Sequence, residues 1–85
     1  MITVRCLGHI GTSIGAKEVQ LAGEAFEAEE IVARLRELSR VADPGFTKYN
    51  TLMMVEDGEA FVPASTKRIV KSGQTVVLIP FSHGG

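Results

Sequence analysis

The sequence predicts an α+β fold in which a mixed sheet of four to five strands is covered by one main helix. Three observations predict it. Residues 2–10 and 17–21 alternate between apolar and polar positions, residues 28–42 carry an apolar stripe at spacings of three and four, and residues 75–81 form a near-continuous apolar run. Period two reads as half-buried strand, and period 3.6 as an amphipathic helix.

In the first segment Ile2, Val4, Cys6 and Ile10 share one face, with Thr3, Arg5, Leu7 and His9 on the other. A turn over 11–15 and renewed alternation at Val19 and Leu21 complete an antiparallel hairpin with a loose loop. The helix then buries Ala28, Ile31, Leu35, Leu38 and Ala42. Glu27, Glu29 and Glu30 load its first turn, and Arg36 and Arg40 its end, as the helix dipole favours. Glu30 and Arg34 are spaced for an i,i+4 ion pair. No Ser, Thr, Asp or Asn caps the start, and Asp43-Pro44-Gly45 ends the helix. Phe46 to Asn50 reads as a connecting loop. Leu52–Val55 and Ala60–Val62 flank Asp57-Gly58, a hairpin turn signal, with Met53 and Met54 in the strand core. Thr66 to Ser72 is polar and irregular. The run Thr75–Phe81 is apolar enough for mid-sheet, paired in parallel with the first strand. The expected order is β-β-α-β-β-β, which is the β-grasp arrangement. It occupies residues 1–81, and residues 82–85 form a tail with nothing to pack against, expected to protrude and move.

Composition narrows the function. One domain suits 85 residues, with 45% apolar content sufficient for a globular core. Nine basic against ten acidic residues leave no electrostatic footprint for nucleic acid or an anionic membrane. The lone Cys6 excludes an internal disulfide, a multi-thiolate zinc site and an iron–sulfur cluster. It suits a reducing, cytoplasmic setting, and no segment reads as a signal peptide or a membrane span. On the apolar face of the first strand, Cys6 reads as a buried, inert thiol. His9 and His83 have no accompanying ligand cluster, so no metal site is expected. Lys67, Arg68 and Lys71 form a small basic cluster in a solvated loop.

The order of elements, the run Val77-Leu78-Ile79-Pro80 and the terminal Gly84-Gly85 resemble the ubiquitin-like sulfur carriers of the MoaD/ThiS family. That family includes the molybdopterin synthase small subunit and the thiamine-pathway carrier. Val55–Pro63 is similar to the thiamine carrier's hairpin, and Val70–Val76 to the family's turn into the last strand. The chain differs in having Ser72 and Gln74 where the family is usually acidic. It also differs in Phe81-Ser82-His83 before the glycines, and in the loop 46–50, which has no counterpart. Two terminal glycines arise by chance in roughly 0.5% of chains at ordinary glycine usage.

The resemblance implies a carrier that is not itself an enzyme and binds no cofactor. Its Gly85 carboxylate enters the ATP site of an E1-like adenylating enzyme, becomes an acyl-adenylate and then a thiocarboxylate. The thiocarboxylate supplies sulfur to an acceptor enzyme of the molybdopterin synthase large subunit or thiazole synthase type, or to a thiolated tRNA pathway. Gly84 gives clearance in a narrow channel because it lacks Cβ. Val77, Ile79, Phe81 and His83 are the expected partner-binding residues. Periodicity leaves open whether Val77, Ile79 and Phe81 face partners or the core, with Val76, Leu78 and Pro80 on the other side. Two other functions use the same residues differently: a protein modifier joined to lysines through Gly85, and a β-grasp binding module without carboxylate chemistry.

Overall fold

The computed structural model describes residues 1–81. In chain order these form β1 (Ile2–Cys6), α1 (His9–Ile14), β2 (Glu18–Leu21), β3 (Ala25–Glu27) and α2 (Ala28–Glu37). There follow β4 (Thr51–Asp57), β5 (Ala60–Pro63), β6 (Ile69–Lys71) and β7 (Thr75–Pro80). A five-stranded sheet has the order β2-β1-β7-β4-β5, and β3 and β6 make a separate two-stranded pair. The last strand lies at the centre, parallel to β1 and antiparallel to β4, where its apolar run placed it.

The first strand is shorter than its alternation suggested. Ile2, Val4 and Cys6 are buried as expected, but Gly8 adopts φ 56° and turns the chain into α1. Ile10 therefore reaches the core from a helix, not from the outer half of a strand. The hairpin with β2 forms in the expected register, Val4 opposite Val19 and Ile2 opposite Leu21.

Helix α2 buries Ala28, Ile31, Val32 and Leu35 against the sheet. Its start is capped by glutamates in place of a hydroxyl or Asx residue: the Glu27 backbone N–H donates to Glu30 Oε1 at 2.9 Å. With Glu30 so engaged, the expected Glu30–Arg34 pair does not form. Arg34 instead lies over the Phe26 ring, 5.7 Å from its centroid. The helix also stops at Glu37, short of the Asp-Pro-Gly signal, and leaves Leu38 and Ala42 exposed. Ser39 explains the early stop. Its hydroxyl accepts the Val41 N–H at 3.1 Å, a local bond that competes with the helical ladder. The Arg40 N–H then donates to the Ser13 carbonyl at 2.8 Å and ties the exit to α1.

The β4–β5 hairpin pairs Asp57 with Ala60, so its two-residue turn is Gly58-Glu59, one position later than the Asp-Gly signal suggested. Gly58 takes φ 69°, the positive value this turn class requires at its first central residue. The stretch 66–72 is not wholly irregular. Ile69–Lys71 pairs with Ala25–Glu27, and Val70 is fully buried opposite Phe26. The loop before β4 contributes Phe46, fully buried in the core with Ile31, Leu35, Val76 and Leu78.

Candidate functional site

The sheet has two unlike faces, and the register of β7 assigns its side chains to them. Val76 and Leu78 are fully buried on the helix-covered side, together with Val55 and Met53 opposite them on β4. Val77 and Ile79 therefore point to the outer, uncovered face, with Phe81 beyond the strand end 61% exposed. Of the two arrangements that periodicity left open, the geometry selects this one. Pro80 lies on the covered side, next to Gly8.

Cross-strand neighbours widen the outer set into an apolar surface. Val77 lies opposite Met54 on one side and Arg5 on the other, and Met54 opposite Pro63 on β5. Ile79 lies opposite Leu52. Leu7, one residue past β1, continues the outward alternation of Thr3 and Arg5 and is exposed. Its backbone N–H donates to the Leu78 carbonyl at 3.1 Å. Leu7, Ile79 and Leu52 thus cross three strands at the end of the sheet where β7 leaves it. Sequence reasoning missed Leu7, Leu52 and Met54. Met54 is a half-buried outer-face residue and Met53 the core one, an alternation hidden because both are apolar. Arg5 faces Glu18 at 3.9 Å at one margin of this surface, and Glu56 lies beside Phe61 at the other.

The root of the tail is held in place. The Phe81 N–H donates to the Asn50 carbonyl at 3.3 Å, one residue past the strand. Ser82, His83, Gly84 and Gly85 lie outside the described residues, so the roles expected of His83, Gly84 and Gly85 have no geometry here.

The remaining candidates sit elsewhere. Cys6 is buried in the core, and burial pushes its thiol up to about 11. His9 is exposed at the start of α1. The basic cluster is largely neutralised in place. Lys67 Nζ lies 3.0 Å from Glu29 and 3.8 Å from Glu27, and Arg68 lies 3.8 Å from Asp57. Lys48 also reaches Glu29, at 3.5 Å. The hydrogen bond from Lys67, followed by the charge of Lys48, holds the Glu29 carboxyl below the ordinary carboxylate range. Among the described residues, no helix is long and apolar enough to cross a membrane.

No family model matches the chain, and no curated protein matches it in sequence. Among solved structures, SAMP1 from Haloferax volcanii superposes with a TM-score of 0.62 at 18% identity, over 99% of this chain and 98% of that one. The fold is a ubiquitin-like β-grasp. In this β-grasp the helix covers one side of the sheet, and the apolar outer surface adjoins the end of the last strand.

Proposed function

We propose that the chain is a carrier protein whose reacting group is the carboxylate of Gly85. A carboxylate oxygen attacks the α-phosphate of ATP in an E1-like adenylating enzyme, forming an acyl-adenylate and releasing pyrophosphate. Hydrosulfide then attacks the acyl carbon, AMP departs with the carboxylate oxygen it carried, and a thiocarboxylate remains for delivery to an acceptor enzyme. The adenylating enzyme supplies the ATP site, and the carrier supplies the docking body and a glycine end narrow enough to thread. The acceptor belongs to the molybdopterin synthase large subunit or thiazole synthase type, or serves tRNA thiolation, in a reducing cytoplasmic setting.

One observation above all supports this reading. An apolar row on the outer face, made of exposed Leu7 and half-buried Ile79 and Leu52 with exposed Phe81 beyond the strand, lies at the end of the sheet from which the chain runs on to Gly84-Gly85. A partner seated on that row holds the remaining four residues within reach of its active site. Aromatic and aliphatic side chains of this kind form the cores of protein interfaces.

The test is incubation with the E1-like adenylating enzyme, ATP and a sulfide donor, followed by intact-mass measurement. The expected result is an oxygen-to-sulfur exchange localised to Gly85, absent when one residue is appended after it. Failure to form any adenylate overturns the reading. A ladder of lysine conjugates without thiocarboxylate assigns the same end to protein modification. An unchanged phenotype after removal of Gly84-Gly85 assigns the chain to binding alone.

A further inference from the structure

The loop between α2 and β4 is built like a presenting device. Phe46 anchors it in the core, the Thr47 N–H donates to Asn50 Oδ1 at 2.8 Å, and Asn50 Nδ2 donates to the Gly45 carbonyl at 3.1 Å. The Tyr49 N–H donates to Thr47 Oγ1 at 3.1 Å. These bonds fix the backbone, yet the Tyr49 side chain is 78% exposed. Between this loop and α2 runs an open groove of about 390 Å³, floored by Val32 and Ala33 and flanked by Tyr49, Lys48 and Arg36.

The charges along this groove are unevenly matched. Glu29 is matched by Lys67 and Lys48, and Glu30 accepts the Glu27 N–H. Lys48 also lies over the Tyr49 ring, 5.3 Å from its centroid. Arg36 has no carboxylate within ion-pair distance among the described residues. An exposed tyrosine on a hydrogen-bonded loop and an unmatched arginine, lining one groove with an apolar floor, are the residue types of an interface hot spot. The volume holds one or two side chains of a docked segment, and the arginine fork suits a carboxylate.

We propose that this groove is a second protein-binding site, taking an extended partner segment that carries an apolar side chain beside a carboxylate. The apolar side chain lies on Val32 and Ala33 against the Tyr49 ring, and the carboxylate pairs with Arg36. The site is distinct from the outer sheet face, because α2 covers the opposite side of the sheet. Both surfaces can be occupied at once, and the Phe81–Asn50 hydrogen bond places the loop at the root of the tail.

The test is an amide chemical-shift titration of the full chain with the blocked tetrapeptide acetyl-Phe-Asp-Leu-Glu-amide, against a control with both acidic residues replaced by lysine. The acidic peptide is expected to give saturable shifts at Ala33, Arg36 and Tyr49. Arg36→Gln and Tyr49→Ala each weaken it by about threefold to tenfold, the scale of a lost charged hydrogen bond or aromatic contact. Both positions are exposed, and retained spectral dispersion confirms folding of each variant. Unsaturable shifts, an equal response to the lysine peptide, or unchanged binding in both folded variants overturns the proposal. None of these outcomes bears on the adenylation of Gly85.

Discussion

Gly8 packs beneath Pro80 so closely that a Cβ added to Gly8 would lie 3.1 Å from the Pro80 Cγ. Gly8 is also the positive-φ residue, at φ 56°, that follows β1 and opens α1. With ψ −138° the residue lies outside the left-handed helical well, in a positive-φ region that side chains rarely enter, so Gly8→Ala is expected to destabilise by about 1–3 kcal/mol from the backbone alone. The crowding against Pro80 adds to it. Urea unfolding should show a lower midpoint at unchanged slope. An unchanged midpoint contradicts the packing described.

Adjacent residues of β7 should separate stability from partner binding. Leu78→Ala, in the closed core, is expected to cost about 2–5 kcal/mol. Ile79→Lys, on the outer face, should cost about 1 kcal/mol or less, because its side chain can reach water. The same Ile79 variant should raise the KM for adenylation about tenfold, the effect of losing one good interface contact. Thermal melts and pyrophosphate-exchange kinetics on both variants check the division. A wild-type KM for the Ile79 variant removes the outer face from the docking scheme.

Cys6 should behave as a hydrocarbon until the fold opens. Burial raises its thiol from 9.0 to about 11, so the folded state favours the protonated form. A group whose folded pKa is raised contributes stability that is complete below its unfolded value and lost as pH rises through the folded one. Stability should therefore decline between pH 9 and about 11, and Cys6→Ala should flatten that part of the curve. At pH 8 a thiol reagent should react at the rate of opening, accelerated by mild urea. Rapid labelling in the native state contradicts the burial.

Glu29 joins three separate segments through Lys67 and Lys48. Its carboxyl is held low, so its contribution is present above the unfolded pKa and lost as pH falls through the folded value. Lys67 shows the mirror effect, raised chiefly by its hydrogen bond to Glu29, with its contribution lost at high pH. Glu29→Gln should lower the melting temperature at pH 7 by more than at pH 3, and a double-mutant cycle with Lys67→Met should show coupling at pH 7 only. Equal effects at both pH values contradict an ionic role.

Much of this architecture was legible because its signals were long or strong. The apolar run of 75–81 located the central strand and its parallel partner, and the stripe from Ala28 to Leu35 located the helix. The hairpin was legible to within one residue, since Asp57 closes the strand pair and Gly58 supplies the positive φ. Helix α1 was not legible. Its sequence His-Ile-Gly-Thr-Ser-Ile is poor in helix formers, and only the turn at Gly8 commits it. The β3–β6 pair was missed because three-residue strands carry too few residues to show a period. Phe46 looked like loop because a single anchor has no periodicity at all. The outward face of β7 was undecidable from sequence, since both of its faces are apolar and only pairing with β4 and β1 separates them.

Placing the final strand at the middle of the sheet has a consequence for synthesis. Until residues 75–80 leave the ribosome, β1 and β4 have no common neighbour, and the sheet exists as two unattached hairpins. A chain that terminates before residue 75 therefore lacks the strand that joins them, and its unpaired apolar edges at β1 and β4 are of the kind that aggregate.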